Sequence, residues 1–361
     1  MNKTYILNHL GFKESFEEQA KAHPNLYPGR IIEQARDKYR VVTHFGETIA
    51  EVSGKFRYEA LEAADFPAVG DFVLLDRPTE DAGTAQIQQC LTRQSALIRK
   101  AAGTTHERQI IAANVDKVFI CMSLNEDFNL RRAERYLALV WDSGAVPTFV
   151  LTKTDIAQDL EKKLEDLQQI SLGVDILMTS AYDEDSYLSL REYIKQEETV
   201  VLVGSSGVGK STLINGLLAK QKLKTNGLRH DGKGRHTTTQ RQLFKLPSGG
   251  MIIDTPGLRE VGLEQANFSE TFSDIVELAS CCKFSDCSHG NEPGCAVQEA
   301  IEQGQLSQER FSNYQKLIKE AGYDGMNAKE IERRKLDTMF KEMGGMKNAR
   351  KFLKKKDKRV Y

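Results

Sequence analysis

Eight consecutive residues restrict the fold of this chain more than any other stretch. Gly204, Ser205, Ser206, Gly207, Val208, Gly209, Lys210 and Ser211 fit the pattern of a phosphate-binding loop. They follow the apolar run TVVLV and lead into the helix-forming run STLINGLLA, which Ser211 and Thr212 open. A strand, a glycine-rich turn and a helix N-terminus in that order point backbone N–H groups at an anion. The geometry requires a neighbouring parallel strand, so the surrounding chain is expected to be an α/β domain. Lys210 is the residue that reaches the β- and γ-phosphates. The Ser211 hydroxyl is suited to Mg²⁺.

The flanking sequence has the alternation such a domain needs. DKVFICMS, VPTFVLTKTD, VDILMTSA and TVVLVGSS read as strands, separated by the helical runs LRRAERYLALVWDSG, DLEKKLEDLQQI and SLREYIK. Ligands of such sheets gather at the carboxyl ends of strands, and three more motifs fall there. Asp254, Thr255, Pro256 and Gly257 follow GGMIID; Asp254 suits a Mg²⁺ ligand, and the Gly257 N–H suits a γ-phosphate sensor. Thr152, Lys153, Thr154 and Asp155 resemble the Asn-Lys-x-Asp motif of guanine-binding GTPases, with Thr152 in place of Asn. A carboxylate at Asp155 accepts from guanine N1–H and the 2-amino group, a donor pair that adenine lacks. The Lys153 stem packs over the base. Thr179, Ser180 and Ala181 resemble the last GTPase motif, which supplies backbone contacts to the base.

The order of these motifs is unusual. The base motifs, at 152 and 179, precede the phosphate loop at 204, whereas ordinary GTPases have the reverse. The domain therefore reads as circularly permuted. Between the phosphate loop and Asp254 lies LRHDGKGRHTTTQ, a polar switch-like loop. Of its three threonines, Thr238 is the favoured Mg²⁺ ligand in the triphosphate state. Leu258 stands where many GTPases carry a water-orienting Gln, and His236 is the candidate to take that part.

Four of the six cysteines crowd into one short stretch. Cys282, Cys287, His289 and Cys295 form a closed Cys₃His set suited to one tetrahedral, structural Zn²⁺. Cys281 can replace Cys282 if the register slips by one.

Composition excludes some classes. With 50 Lys+Arg against 51 Asp+Glu in 361 residues, the chain is not a uniformly basic nucleic-acid binder. A local patch remains: 347–359 holds eight basic residues and one acidic. No apolar run is long enough to span a membrane. MNKTYILNHLGFKESFEEQA has no apolar signal core and carries acidic residues, which sets the expectation of a cytoplasmic protein.

Residues 1–35 read as a helical extension, with FEEQA and RIIEQAR as helix formers. Residues 36–100 hold YRVVTHF, ETIAEVS, DFVLLD and AQIQQCL, short β-rich runs that suggest a small barrel, OB or SH3-like. AAGTTHERQ, at 101–109, reads as a linker.

Together, the motif order, the GRHTTT loop, the Asp-Thr-Pro-Gly turn and the segment CKFSDCSHGNEPGC closely resemble the ribosome small-subunit-dependent GTPase family RsgA, also called YjeQ or YloQ. The resemblance spans nearly the whole chain. It implies a multidomain protein: an OB-fold barrel at 36–100 after an extension at 1–35, a circularly permuted α/β GTPase domain at 101–265, and a mainly helical zinc-binding domain with a basic tail at 266–361. It also implies GTP hydrolysis to GDP stimulated by the small ribosomal subunit, and a role in late maturation of that subunit. The barrel and the zinc domain would hold its rRNA. The expected partners are that subunit, its rRNA, GTP and GDP, with no membrane and a monomeric chain. Other readings of the same machinery are a GTPase of large-subunit or general RNA assembly, a metal-handling GTPase, and a non-hydrolysing RNA-binding protein.

Overall fold

In the computed structural model, residues 5–79, 83–100, 108–171, 173–218, 241–255, 271–284, 287–290 and 292–321 are described. The apolar runs of the first half become strands β1 (Tyr27–Ala35), β2 (Lys38–Thr43), β3 (Gly46–Val52), β4 (Phe72–Leu75) and β5 (Ala85–Cys90). Pairing runs β1-β2-β3-β5-β4, and β4 pairs back to β1, which closes a five-stranded barrel. Helix α3 (Gly54–Glu59) lies between β3 and β4 in sequence, capped by the Ser53 side chain. α1 (Tyr5–Asn8) and α2 (Glu14–Lys21) precede the barrel, and Phe16 of α2 packs on Phe72 with ring centroids 4.4 Å apart.

The segment RIIEQAR is not helical. Its first six residues lie within β1, so the first barrel strand starts at Tyr27 rather than near residue 36. Its residues have helical propensity, but tertiary pairing overrides such weak preferences. β1 pairs with β2, β4 and a later strand at once. Ile31 and Arg30 are both buried there.

A hairpin of β6 (Ala96–Lys100) and β7 (Arg108–Ala113) follows. Arg108 and Gln109, expected in a linker, therefore belong to a strand. The central α/β elements are β8 (Lys117–Ser123), α4 (Leu130–Asp142), β9 (Val146–Thr152), α5 (Leu160–Ile170), β10 (Asp175–Met178), α6 (Glu184–Tyr193), β11 (Thr199–Val203), α7 (Lys210–Leu218), β12 (Arg241–Lys245) and β13 (Met251–Asp254). Their order across the sheet is β10-β9-β8-β11-β13-β12. All but β12 run parallel. β11 is buried along its length, as expected where helices cover both faces. β11 has β8, which comes earlier in the chain, on one side and β13, which comes later, on the other. The loop after it thus opens at the point where the winding reverses.

Strand β12 also pairs with β1, at Glu33–Gln242 and Gln34–Arg241. The barrel and the α/β sheet are thereby one continuous surface of eleven strands among the described residues. Arg30 fastens this junction and is 1% exposed. It donates to the carbonyls of Gly70 (3.2 Å), Asn114 (3.3 Å) and Leu10, and to Thr199 Oγ1 (2.9 Å). Its guanidinium lies 4.9 Å from the Phe72 ring centroid. Burial pulls its pKa down to about 10.

The C-terminal part is helical: α8 (Ser273–Ser280), α9 (Ala296–Glu302) and α10 (Gln308–Ala321). α10 docks on α4 through a buried polar cluster. Arg310 and Asn313 both donate to the Glu134 carboxylate, which is 3% exposed. Arg310 also grips Asp274 with two bonds of 2.8 and 2.9 Å. No helix among the described residues is long and apolar enough to cross a membrane. The basic segment at 347–359 lies outside the described residues.

Candidate functional site

The phosphate loop joins β11 to α7. Gly204 has φ +140°, and a Cβ there would come within 2.4 Å of the Cys121 carbonyl oxygen. Only glycine fits that approach. Gly207 and Gly209 have φ +81° and +103°, the left-handed region that favours glycine. Ser206 and Thr212 are exposed, and Ser211 is half-buried on the first turn of α7. Lys210 Nζ donates to the carbonyls of Gly204 and Ser205, each at 2.6 Å. The ammonium is thus held over its own loop, aimed where phosphate oxygens would sit.

The base motifs stand on the two strand ends beyond β8. Thr152 ends β9, buried, and its hydroxyl donates to the Val208 carbonyl at 2.6 Å. The residue that departs from the usual Asn therefore ties the base motif to the phosphate loop. Lys153 adopts φ +61°, and Thr154 and Asp155 begin a short 3₁₀ turn. Asp155 is exposed and accepts from Ser180 Oγ at 2.6 Å. Ser180 also accepts from the Tyr182 N–H at 3.2 Å. Thr179 is joined to β9 through Leu151, whose carbonyl accepts its N–H at 2.8 Å. Ala181 is exposed beside them. The Asp155 carboxylate is thus fixed in rotamer yet open to a ligand.

Asp254 ends β13, next to β11. Burial raises its pKa, and the Lys210 charge offsets part of that rise. Loop, base motifs and Asp254 thus share one edge of the sheet. His236, Thr238 and Gly257 lie outside the described residues.

One loop contact has no signal in the motifs. Arg132, in the first turn of α4, donates from Nη1 to Ser205 Oγ at 2.6 Å. In sequence it is one of three arginines, 131, 132 and 135, on an amphipathic helix, and nothing local singles it out.

The second site is the cysteine cluster. The donor atoms of Cys282, Cys287, His289 and Cys295 all lie within 4.8 Å of one another. Cys282 Sγ is 3.9 Å from Cys295 Sγ, and each of these sulfurs is 3.6 Å from His289 Nδ1. Tetrahedral zinc, with bonds of ~2.3 Å to sulfur and ~2.0 Å to nitrogen, separates two sulfurs by ~3.8 Å and sulfur from nitrogen by ~3.5 Å. The cluster fits a zinc ion. Cys281 is exposed and outside it, so Cys282 is the residue in register. His289 has φ +56°, and its carbonyl accepts from Gln298 Nε2 at 2.6 Å. Cys295 caps α9, and Phe311 of α10 meets the His289 ring edge-on at 6.1 Å.

Comparison with known proteins agrees with this layout. The RsgA GTPase family model matches residues 90–264. A relative from Lactiplantibacillus plantarum, small ribosomal subunit biogenesis GTPase RsgA 2, is 48% identical over 323 residues, 89% of this chain and 91% of its own. The chain belongs to the RsgA GTPase family. A second member, RsgA 2 of Vibrio vulnificus, is 40% identical over 100% of this chain and 99% of its own. Among solved structures, YjeQ from Thermotoga maritima superposes with a TM-score of 0.61 at 28% identity, covering 82% of this chain and 98% of that one. YloQ, described as a circularly permuted GTPase, gives 0.59 at 26% identity, covering 83% and 96%. The family's permuted fold is the arrangement seen here, with base motifs on β9 and β10 ahead of the loop on β11.

Proposed function

We propose that this GTPase binds the small ribosomal subunit and acts in its late maturation, hydrolysing GTP to GDP and phosphate when the subunit stimulates it. The observation that carries this reading is the 48% identity to a small-subunit biogenesis GTPase over 89% of the chain. It is joined to a sheet edge that gathers the phosphate and base motifs.

In this reading the chain divides into an N-terminal arm, an OB-type barrel, the permuted GTPase and a zinc-bearing helical unit with a basic tail. The barrel begins at β1 rather than at residue 36. Residues Gly204–Thr212 cradle the phosphates, and Lys210 neutralises charge that grows on the β–γ bridge. Asp155 reads guanine, with Ser180 holding its carboxylate. Lys153 covers the base, while Thr179 and Ala181 present backbone to it. Ser211, Thr238 and Asp254 would hold Mg²⁺, which neutralises the β- and γ-oxygens when bound. Gly257 senses the γ-phosphate, and His236 orients the attacking water. The zinc ion would stiffen the loop between α8 and α9 and leave no open position for chemistry. The barrel, zinc unit and basic tail hold rRNA phosphates, the protein works as a monomer in the cytoplasm, and hydrolysis loosens its grip on the subunit.

The test is GTP hydrolysis by the purified protein alone, with isolated small subunits and with isolated large subunits, at two salt concentrations. A rise with small subunits only, weakened by salt, is the expected result. A rise with large subunits instead, or with neither, overturns the reading.

A further inference from the structure

We infer that Arg132 is a positioning residue for the phosphate-binding loop, fixing Ser205 so that the loop is ordered before nucleotide arrives. The inference rests on the reading of that loop as the GTP phosphate site.

The loop is unevenly supported. A Cβ added at Gly207 or Gly209 would meet nothing within 4 Å, so the crest of the loop has no packing on that side. Order must come from its flanks. One flank is Gly204 against Cys121, and another is the Thr152 bond to the Val208 carbonyl. The third is Ser205, which is held twice. Arg132 Nη1 donates to its hydroxyl, and its carbonyl accepts from Lys210. Arg132 thus restrains the residue on which the phosphate-seeking lysine rests.

Arg132 is itself held firmly. Asn129 caps α4 by accepting from the Arg132 N–H at 3.0 Å. Asn125 braces the preceding turn, accepting from Ser123 Oγ at 2.7 Å and the Asp127 N–H at 3.2 Å. Asp127 pairs with Arg132 Nη1 at 2.9 Å. Two residues further on, Glu134 is gripped by Arg310 and Asn313 of α10. The helix carrying the guanidinium is therefore fixed at its cap and on its far side. Ordering a loop in advance strengthens binding, because less conformational freedom remains to be lost.

The experiment is titration of the full-length protein with fluorescent GDP and a non-hydrolysable GTP analogue, in Mg²⁺. Arg132→Ala, Arg132→Lys, Ser205→Ala, Asp127→Ala and Arg132→Ala/Ser205→Ala are compared, with thermal melts of each. A charge-assisted bond to a half-exposed group predicts that Arg132→Ala weakens both nucleotides about tenfold. Ser205→Ala does the same, the double variant loses no more than either single, and Arg132→Lys recovers part of the loss. Asp127→Ala has a smaller effect, and the melts stay near wild type. A merely structural arginine would instead make Asp127→Ala equal Arg132→Ala and leave Ser205→Ala silent, which overturns the inference. So does nucleotide binding by Arg132→Ala within twofold of wild type, or a double-variant loss equal to the product of the singles. Failure of the wild type to bind either nucleotide defeats the GTP reading itself.

Discussion

Replacing Arg30 by Met tests the junction between the barrel and the GTPase sheet. Met keeps most of the stem and its contact with Phe72 but removes every donor. The Gly70, Leu10 and Asn114 carbonyls then lose a donor in the interior, as does Thr199 Oγ1. A buried acceptor left without its donor costs about 1–3 kcal/mol. Against this, a desolvated charge disappears, and among the described residues no carboxylate is in ion-pair contact with Arg30. Asp116 and Asp71 act on it only as nearby charges, and burial is the larger influence on its pKa. Removing an imperfectly compensated buried charge returns about 1–3 kcal/mol. Gly70 keeps a donor in Asn114 Nδ2, so three acceptors carry the cost, about 5 kcal/mol together at roughly 1.5–2 kcal/mol each, and the net expectation is a loss of about 2–4 kcal/mol, a large single-site effect. Urea unfolding at neutral pH measures it. The chain has one Trp, Trp141 in α4, which reports on the GTPase sheet alone, while far-UV circular dichroism also sees the barrel. Wild type is expected to unfold with the two signals coincident. The variant is expected to unfold earlier and with the signals separated. An unchanged midpoint, or a more stable variant with coincident signals, refutes the reasoning.

Three further outcomes are expected. Purified protein carries one zinc ion per chain by elemental analysis; Cys295→Ser loses it, Cys281→Ser keeps it, and chelation lowers helix content because the ion holds the fold of that loop. Asp155→Asn weakens GDP by roughly a hundredfold through two lost charge-assisted bonds and restores binding to the xanthine nucleotide, whose 2-oxo group accepts from the new amide; equal loss for both nucleotides contradicts the guanine assignment. Burial pushes Tyr39 up to about 12, above the ~10 of an exposed phenol, so its contribution to stability is fully present below pH ~10 and is lost as pH climbs toward 12. Wild type should lose urea resistance relative to Tyr39→Phe across that interval, and parallel curves would contradict it.

The parts of this molecule visible in sequence are those whose chemistry is local. A phosphate loop must put its glycines and lysine in one turn, and a zinc loop must bring its donors within a few residues, so Gly204–Ser211 and Cys282–Cys295 announce themselves. The alternation from Lys117 to Leu218 is likewise written in apolar runs that match buried parallel strands. RIIEQAR was misleading because its fate depends on three partner strands that no local pattern encodes. The choice between Cys281 and Cys282 needed the end of α8, which leaves Cys281 exposed and turns Cys282 toward the other donors. Arg132 and Arg30 resemble any other arginine in sequence. Each gains its role from residues 73 and up to 169 positions away.

The splice between β1 and β12 has a consequence for synthesis. A ribosome makes the barrel first, and β1 can close with β2 and β4 while the rest of the chain is unmade. Its remaining edge waits for β12, about 200 residues further along, from Glu33 to Gln242. At ~5–20 residues per second, that edge stays open for roughly 10–40 s. The waiting stretch is short and carries Glu33 and Gln34 rather than apolar side chains, which discourages pairing with a stranger's strand. The nascent chain is thereby protected by the polarity of two residues until the last strands of its own sheet emerge.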